Sequence, residues 1–184
     1  MRIVIGIDPA ATHLAAVILG GPKPYQLVTR TMPKDAVLRC AAAYRWTRRL
    51  IRLFPLADDI VVAVEEPVIG KPGRAGANGT LPQAKVHGAI LAAGSMAAVT
   101  VIPINNSQWK KRIVGKGNAS KAEVNQFVKR TAPKLWAEAK GNQDLCDALC
   151  IAQHGLYVVK LREKIDRTRR LRSWIDGNSE GSHS

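Results

Sequence analysis

Four acidic residues stand where a carboxylate is out of keeping with its neighbours. Asp8 ends the apolar run Ile3-Val4-Ile5-Gly6-Ile7, and Glu65 ends the run Ile60-Val61-Val62-Ala63-Val64, with Glu66 directly after it. A lone acid at the end of a buried strand is costly unless the strand opens there into solvent, a site or a metal. Asp144 and Asp147 are three apart, so on a helix they project from nearly one face, with Cβ atoms about 5–6 Å apart. Taken singly, each acid has a plain structural explanation: a solvated strand end, or a helix N-terminus whose acids complement the macrodipole. What joins them is the continuation Ala148-Leu149-Cys150-Ile151-Ala152, apolar enough to pack that helix beside the sheet and turn its first acids toward the strand ends. Converging carboxylates without a cation protonate or move apart. Two divalent ions about 3.5–4 Å apart would hold them together and activate a water. An all-oxygen ligand set favours Mg²⁺ or Mn²⁺, and the chemistry of two such ions is in-line displacement at phosphorus. Asp8, Glu65, Asp144 and Asp147 are therefore the candidate catalytic and metal-binding residues. Glu66 remains the alternative acid, because one residue of register reverses which side chain faces the site.

Charge points to the same class of substrate. Lys and Arg number 28 against 14 Asp and Glu, a net charge of +14, which fits a polyanionic partner, nucleic acid first and an anionic membrane second. Eight basic residues fall between Asn105 and Lys134 with Glu123 as the lone acid, and seven more between Lys160 and Arg172 meet only Glu163 and Asp166. One such run is an ordinary solvated helix face; two in so basic a chain make a phosphate-binding surface the better reading. The three cysteines form no disulfide-like pattern, which fits a reducing compartment. The first apolar run is cut short by Asp8, so no secretory signal is read, and Ala89–Ile104 is too short and interrupted to span a bilayer. The expectation is a cytoplasmic or nucleoid-associated protein without membrane contact.

The elements that must position these residues are legible in outline. Arg2–Asp8, Leu14–Leu19 and Gln26–Thr31 read as three strands of an antiparallel meander, with Gly20-Gly21-Pro22 and Pro24 in a turn. Asp35 can cap a helix to about Phe54, with Ala42, Trp46, Leu50 and Leu53 on one stripe and Arg45, Arg48, Arg49 and Arg52 on another. A strand at Ile60–Glu65, a Gly-rich loop at Gly70–Gly79, a helix from about Leu81 to Met96 and a strand at Ala98–Ile102 make a parallel pair with a right-handed crossover. Helices follow at Ser107–Ile113, after the capping box Ser120-Lys121-Ala122-Glu123, and from Gln143 to Lys160. The fold class is α/β, a five-stranded mixed sheet flanked by helices. One domain spans residues 1–160, and 161–184 form a basic tail expected to be disordered after Trp174.

With these residues in place, the chain resembles the RuvC-type Holliday junction resolvases, which are RNase H-like. Ile5-Gly6-Ile7-Asp8-Pro9-Ala10 is similar to the family's first-strand signature, Ala63-Val64-Glu65 to its second acid motif, and Asp144-Leu145-Cys146-Asp147-Ala148-Leu149 to its final helix motif. The segment Gly115-Lys116-Gly117 leading to Lys121 is similar to the stretch before a DNA-contacting lysine, whose companion falls on Lys110. The resemblance spans roughly Arg2 to His154. It implies Mg²⁺ (with Mn²⁺ as a substitute), two ions per site, Asp8, Glu65, Asp144 and Asp147 as ligands, and Lys110 and Lys121 near the scissile phosphate. It also implies a homodimer placing two sites on opposite strands of a four-way junction. The chain departs from the family at Val68, where members carry an aromatic wedge three residues beyond the second acid, so opening of the junction by a stacked ring is not expected.

Other features are weighed against plainer explanations. Lys111 and Lys116 join Lys110 and Lys121 as candidate DNA contacts, and Lys71 and Arg74 would contact DNA from a mobile flap; the flap lacks the Gly-Lys-Ser/Thr ending of a P-loop. Cys146, Cys150 and His154 recur every four residues, but on a packing helix they are better read as core than as a soft-metal site. Trp109 can stack on a base or anchor a short helix. Competing functions keep the chemistry and change the substrate to forks, flaps or RNA hybrids, or drop catalysis for a junction-binding role.

Overall fold

The structure, a computed structural model, describes residues 1–67 and 77–179, excepting the side chains of 77–80 and 174–179. Strands β1 (Arg2–Asp8), β2 (His13–Leu19), β3 (Tyr25–Thr31), β4 (Asp59–Glu65) and β5 (Thr100–Ile104) form one sheet in the order β3-β2-β1-β4-β5. The first three pair antiparallel, while β1–β4 and β4–β5 are parallel, as the sequence predicts. The last strand begins two residues later than expected. Ala98 takes a left-handed φ of 54° and Val99 N–H donates to Gly94 O, so these residues close the preceding helix instead of entering the sheet. Pro103 lies in β5, which among the described residues has β4 as its one strand neighbour.

Strand alternation divides the core into two layers. Ile3, Ile5 and Ile7 of β1 and Val62 and Val64 of β4 face α1 (Ala36–Arg52) and α2 (Ala77–Ser95). Asp35 caps α1, its carboxylate accepting from Leu38 N–H at 2.8 Å. Helix α2 starts four residues before the expected Leu81, taking in the end of the expected Gly-rich loop; Val68, Lys71 and Arg74 lie outside the described residues.

On the other sheet face, Val4, Val61 and Ala63 pack under α6 (Gln143–Ser179). Between sheet and α6 the chain forms α3 (Asn106–Trp109), a π-helical turn Lys110–Val114, α4 (Lys121–Thr131) and α5 (Pro133–Glu138). The capping box at α4 forms as expected. The short α5, opened by Pro133, is an element the sequence reading lacks. Helix α6 lies close to the sheet because glycines meet it there. A Cβ on Gly6 would stand 2.4 Å from both Ala148 O and Ala152 N, and one on Gly155 would stand 2.5 Å from the Ala63 methyl.

The basic stretch after Lys160 is a correction to the expected tail. Helix α6 runs unbroken through it to Ser179, so the backbone is helical beyond Trp174, and 180–184 lie outside the described residues. Every side chain from Lys160 to Ser173 is exposed, past the last core residue, Val159. Arg2 fastens the base of this extension, bonding both Asp59, at 2.6 Å, and Glu163. Among the described residues, no helix is long and apolar enough to cross a membrane.

Candidate metal and nucleic-acid site

Parallel pairing of β1 and β4 sets Ile7 beside Val64, so Asp8 and Glu65 lie side by side at the carboxyl ends of adjacent strands. By alternation both point to the α6 face, since Ile7 and Val64 point to the other. Glu66, one residue on, falls on the α2 side, where its charge acts on His87. Strand register thus brings Glu65, and not Glu66, to the side of the sheet that Asp8 faces.

Helix α6 delivers the other pair. Asn142 accepts from Leu145 N–H at 3.1 Å and starts the helix, following a turn whose Lys140 and Gly141 have left-handed φ. Asp144 and Asp147 then stand in its first turns, half-buried, over the strand ends. Gln143 donates from Nε2 to Asp147 Oδ1 at 2.8 Å.

The electrostatics record how closely these groups face one another. Burial, then Glu65, Asp147 and Asp144, push the Asp8 carboxyl well above its usual range, and Lys121 alone opposes them. Burial raises Glu65 as well, against hydrogen bonds from Trp109 and Asn106 and the charge of Lys110. Asp147 is pushed up to about 6, chiefly by burial and then by Glu65, while Gln143, Lys110 and Lys121 pull it down. Acids shifted upward by burial and by each other are negative charge short of compensation. A hard divalent cation with oxygen ligands would supply it. Among the described residues no three His, Cys, Asp or Glu side chains are grouped closely enough to hold a metal ion as they stand. In kind, the donors fit a divalent ion: Asp8, Glu65, Asp144 and Asp147 offer carboxylate oxygens alone.

Of the expected DNA contacts, Lys110 and Lys121 face the acids; Lys111 is exposed and acts on none of them, and Lys116 bonds Glu123 at 2.9 Å. Cys146 and Cys150 are fully buried, with thiols raised by burial, and His154 is buried too, so all three lie in the core against which α6 packs. Trp109 does not stack on a base: it is wholly buried, and its indole Nε1–H donates to Glu65 Oε1 at 2.9 Å. Asn106 donates to the same oxygen. Neither role is in the sequence reading, although the i, i+3 spacing of Asn106 and Trp109 next to Lys110 is a signal that both share one helix face.

Residues 4–154 match the family described as Crossover junction endodeoxyribonuclease RuvC. A protein of that name from Bradyrhizobium sp. (strain ORS 278) is 36% identical over 152 residues, covering 81% of this chain and 83% of the relative. One from Chlamydia trachomatis serovar L2 is 26% identical over 156 residues, covering 82% and 88%. Among solved structures, Thermus thermophilus RuvC superposes with a TM-score of 0.60 at 23% identity, covering 86% of this chain and 96% of that one. T. thermophilus RuvC in complex with Holliday junction substrate gives 0.59 at 24% identity, covering 83% and 91%. At these identities the superpositions establish a shared fold.

Proposed function

Because this chain belongs to the RuvC family of crossover junction endodeoxyribonucleases, we propose that it resolves four-way DNA junctions, cutting phosphodiester bonds in paired nicks with Mg²⁺ or Mn²⁺. The observation that carries this is the meeting of Asp8, Glu65 and the Asp144–Asp147 pair, from three separate elements, in a buried place opposed by Lys110 and Lys121. A likeness to a RuvC bound to a Holliday junction supports the substrate.

Asp8, Glu65, Asp144 and Asp147 would hold two divalent ions, which when bound supply Lewis acidity at the phosphate and activate the attacking water. Asp8 ends β1, which lies between β2 and β4, and Glu65 ends β4, which lies between β1 and β5, so both would be offered from interior strands of the sheet. Lys121, whose charge acts on Asp8 and Asp147, and Lys110, whose charge acts on Glu65 and Asp147, would orient the scissile phosphate by charge. Lys111, with Lys116 and the Lys71 and Arg74 segment, would extend the contact along the backbone without reading sequence. Paired nicks need two such sites, which a twofold homodimer supplies.

Replacing Asp8 with Asn is expected to abolish cutting of a synthetic four-way junction in Mg²⁺ while junction binding is retained. Unchanged cutting by that variant would overturn the proposal. A second reading, forks, flaps or RNA hybrids as substrates, draws on Val68 in place of an aromatic wedge, since open substrates need no wedge. Side-by-side rates on a junction, a fork, a flap and a hybrid distinguish the two.

A further inference from the structure

The two donors on Glu65 converge on one oxygen. Trp109 Nε1–H reaches Oε1 at 2.9 Å, and Asn106 Nδ2 donates to Oε1 as well. A carboxylate oxygen offers about two lone-pair sites, so Oε1 is fully engaged. Among the described residues no donor reaches Oε2. A completely buried indole N–H needs an acceptor, and here a carboxyl oxygen supplies it, a stronger partner in its ionised form than a neutral one. Both donors come from α3, whose N-terminus is fixed by Asn105 accepting from Ser107 N–H at 3.0 Å. The next residue along, Lys110, has its ammonium 5.5 Å from the Trp109 ring centre, so one segment brings both the donors and a cation to Glu65.

We propose that Trp109 and Asn106 are positioning residues that saturate Glu65 Oε1 and leave Oε2 alone to bind a divalent ion, so that Glu65 is held as a single-oxygen ligand. The proposal rests on the site assigned above. A one-oxygen carboxylate suits a small octahedral ion, whereas larger Ca²⁺ commonly takes both oxygens of a carboxylate. Freeing Oε1 should then weaken binding of the small ion and relax the discrimination against Ca²⁺. Partners of this kind typically contribute about 10–100-fold to metal affinity or activity.

The test is calorimetric titration of Mn²⁺ and of Ca²⁺ into the whole protein, with Trp109→Phe, Asn106→Ala and the near-isosteric Asn106→Asp. Expected is Mn²⁺ binding weakened about 10-fold or more, with Ca²⁺ weakened less, and Asn106→Asp the worst of the three because it sets a carboxylate against Oε1. Thermal melts accompany each variant. If Trp109→Phe fails to fold, the half-buried Asn106 carries the test. Mn²⁺ and Ca²⁺ affinities within twofold of the parent in the folded variants would overturn the positioning role. Glu65→Gln separates the two levels: if it leaves Mn²⁺ binding and cutting intact, the site assignment itself fails, and if it abolishes both while the donor variants change nothing, only the positioning role does.

Discussion

Asp147 has its carboxyl pushed up from an ordinary 3.8 to about 6, and Asp8 is displaced in the same direction. A raised acid binds its proton more tightly in the folded state. Its stabilising effect is therefore full below the unfolded value and lost as pH rises through the folded one. For Asp147 that window runs from 3.8 to about 6, and a shift of this size corresponds to about 3 kcal/mol at most. In EDTA, Asp147→Asn is expected to raise the melting temperature at pH 7.5 and to leave it nearly unchanged at pH 4. Equal effects at both pH values would show that the cost of burying a charged Asp147, with its repulsion from Glu65, is not what the substitution relieves. With Mg²⁺ present at pH 7.5 the order should reverse, because the parent then gains a ligand that binds the folded state.

At the level of elements, the site depends on how closely α6 approaches β1 and β4. Gly6→Ala would drive a methyl into the backbone of α6 at Ala148 and Ala152, lifting the helix and its two aspartates from Asp8. We expect a loss of about 3 kcal/mol or more, measured by urea unfolding, with cutting lost as well. Gly88 on α2 is a control, with nothing within 4 Å of an added Cβ; Gly88→Ala should stabilise by about 0.5–1 kcal/mol. Much of this scaffold was readable beforehand, because the runs ending in Asp8 and Glu65 are strongly β-forming and the Asp35 and Ser120 caps are local signals. What was hidden depended on tertiary contacts. Glu65 and Glu66 are indistinguishable until strand pairing sets which one faces α6. The partner of Trp109 is 44 residues away, and no local pattern reports it. The start of β5 was misplaced because the positive φ of Ala98 has no marker in its side chain.

Across the whole molecule, positive charge is carried both around the acids and along the outer half of α6, whose six basic residues after Lys160 lie beyond the last core contact. We expect a chain ending at Lys160 to keep a cooperative melt and metal-dependent cutting, which would support residues 1–160 as the nuclease domain. Its junction affinity should fall and depend less on salt, the log–log slope shrinking by up to about 5; an unchanged slope would remove DNA from the roles of the extension. The sheet, finally, has among the described residues an edge at β5 that is poorly suited to recruit another strand. Ile104 C=O accepts from Glu66 N–H, so by alternation the backbone groups of Val101 and Pro103 are those turned outward. Proline has no N–H, which leaves Val101 as the sole outward donor between Thr100 and Ile104. Two copies cannot readily zip together along this edge into a continuous ladder, which protects a concentrated protein against strand-mediated aggregation and leaves pairing of subunits to surfaces other than the β5 edge.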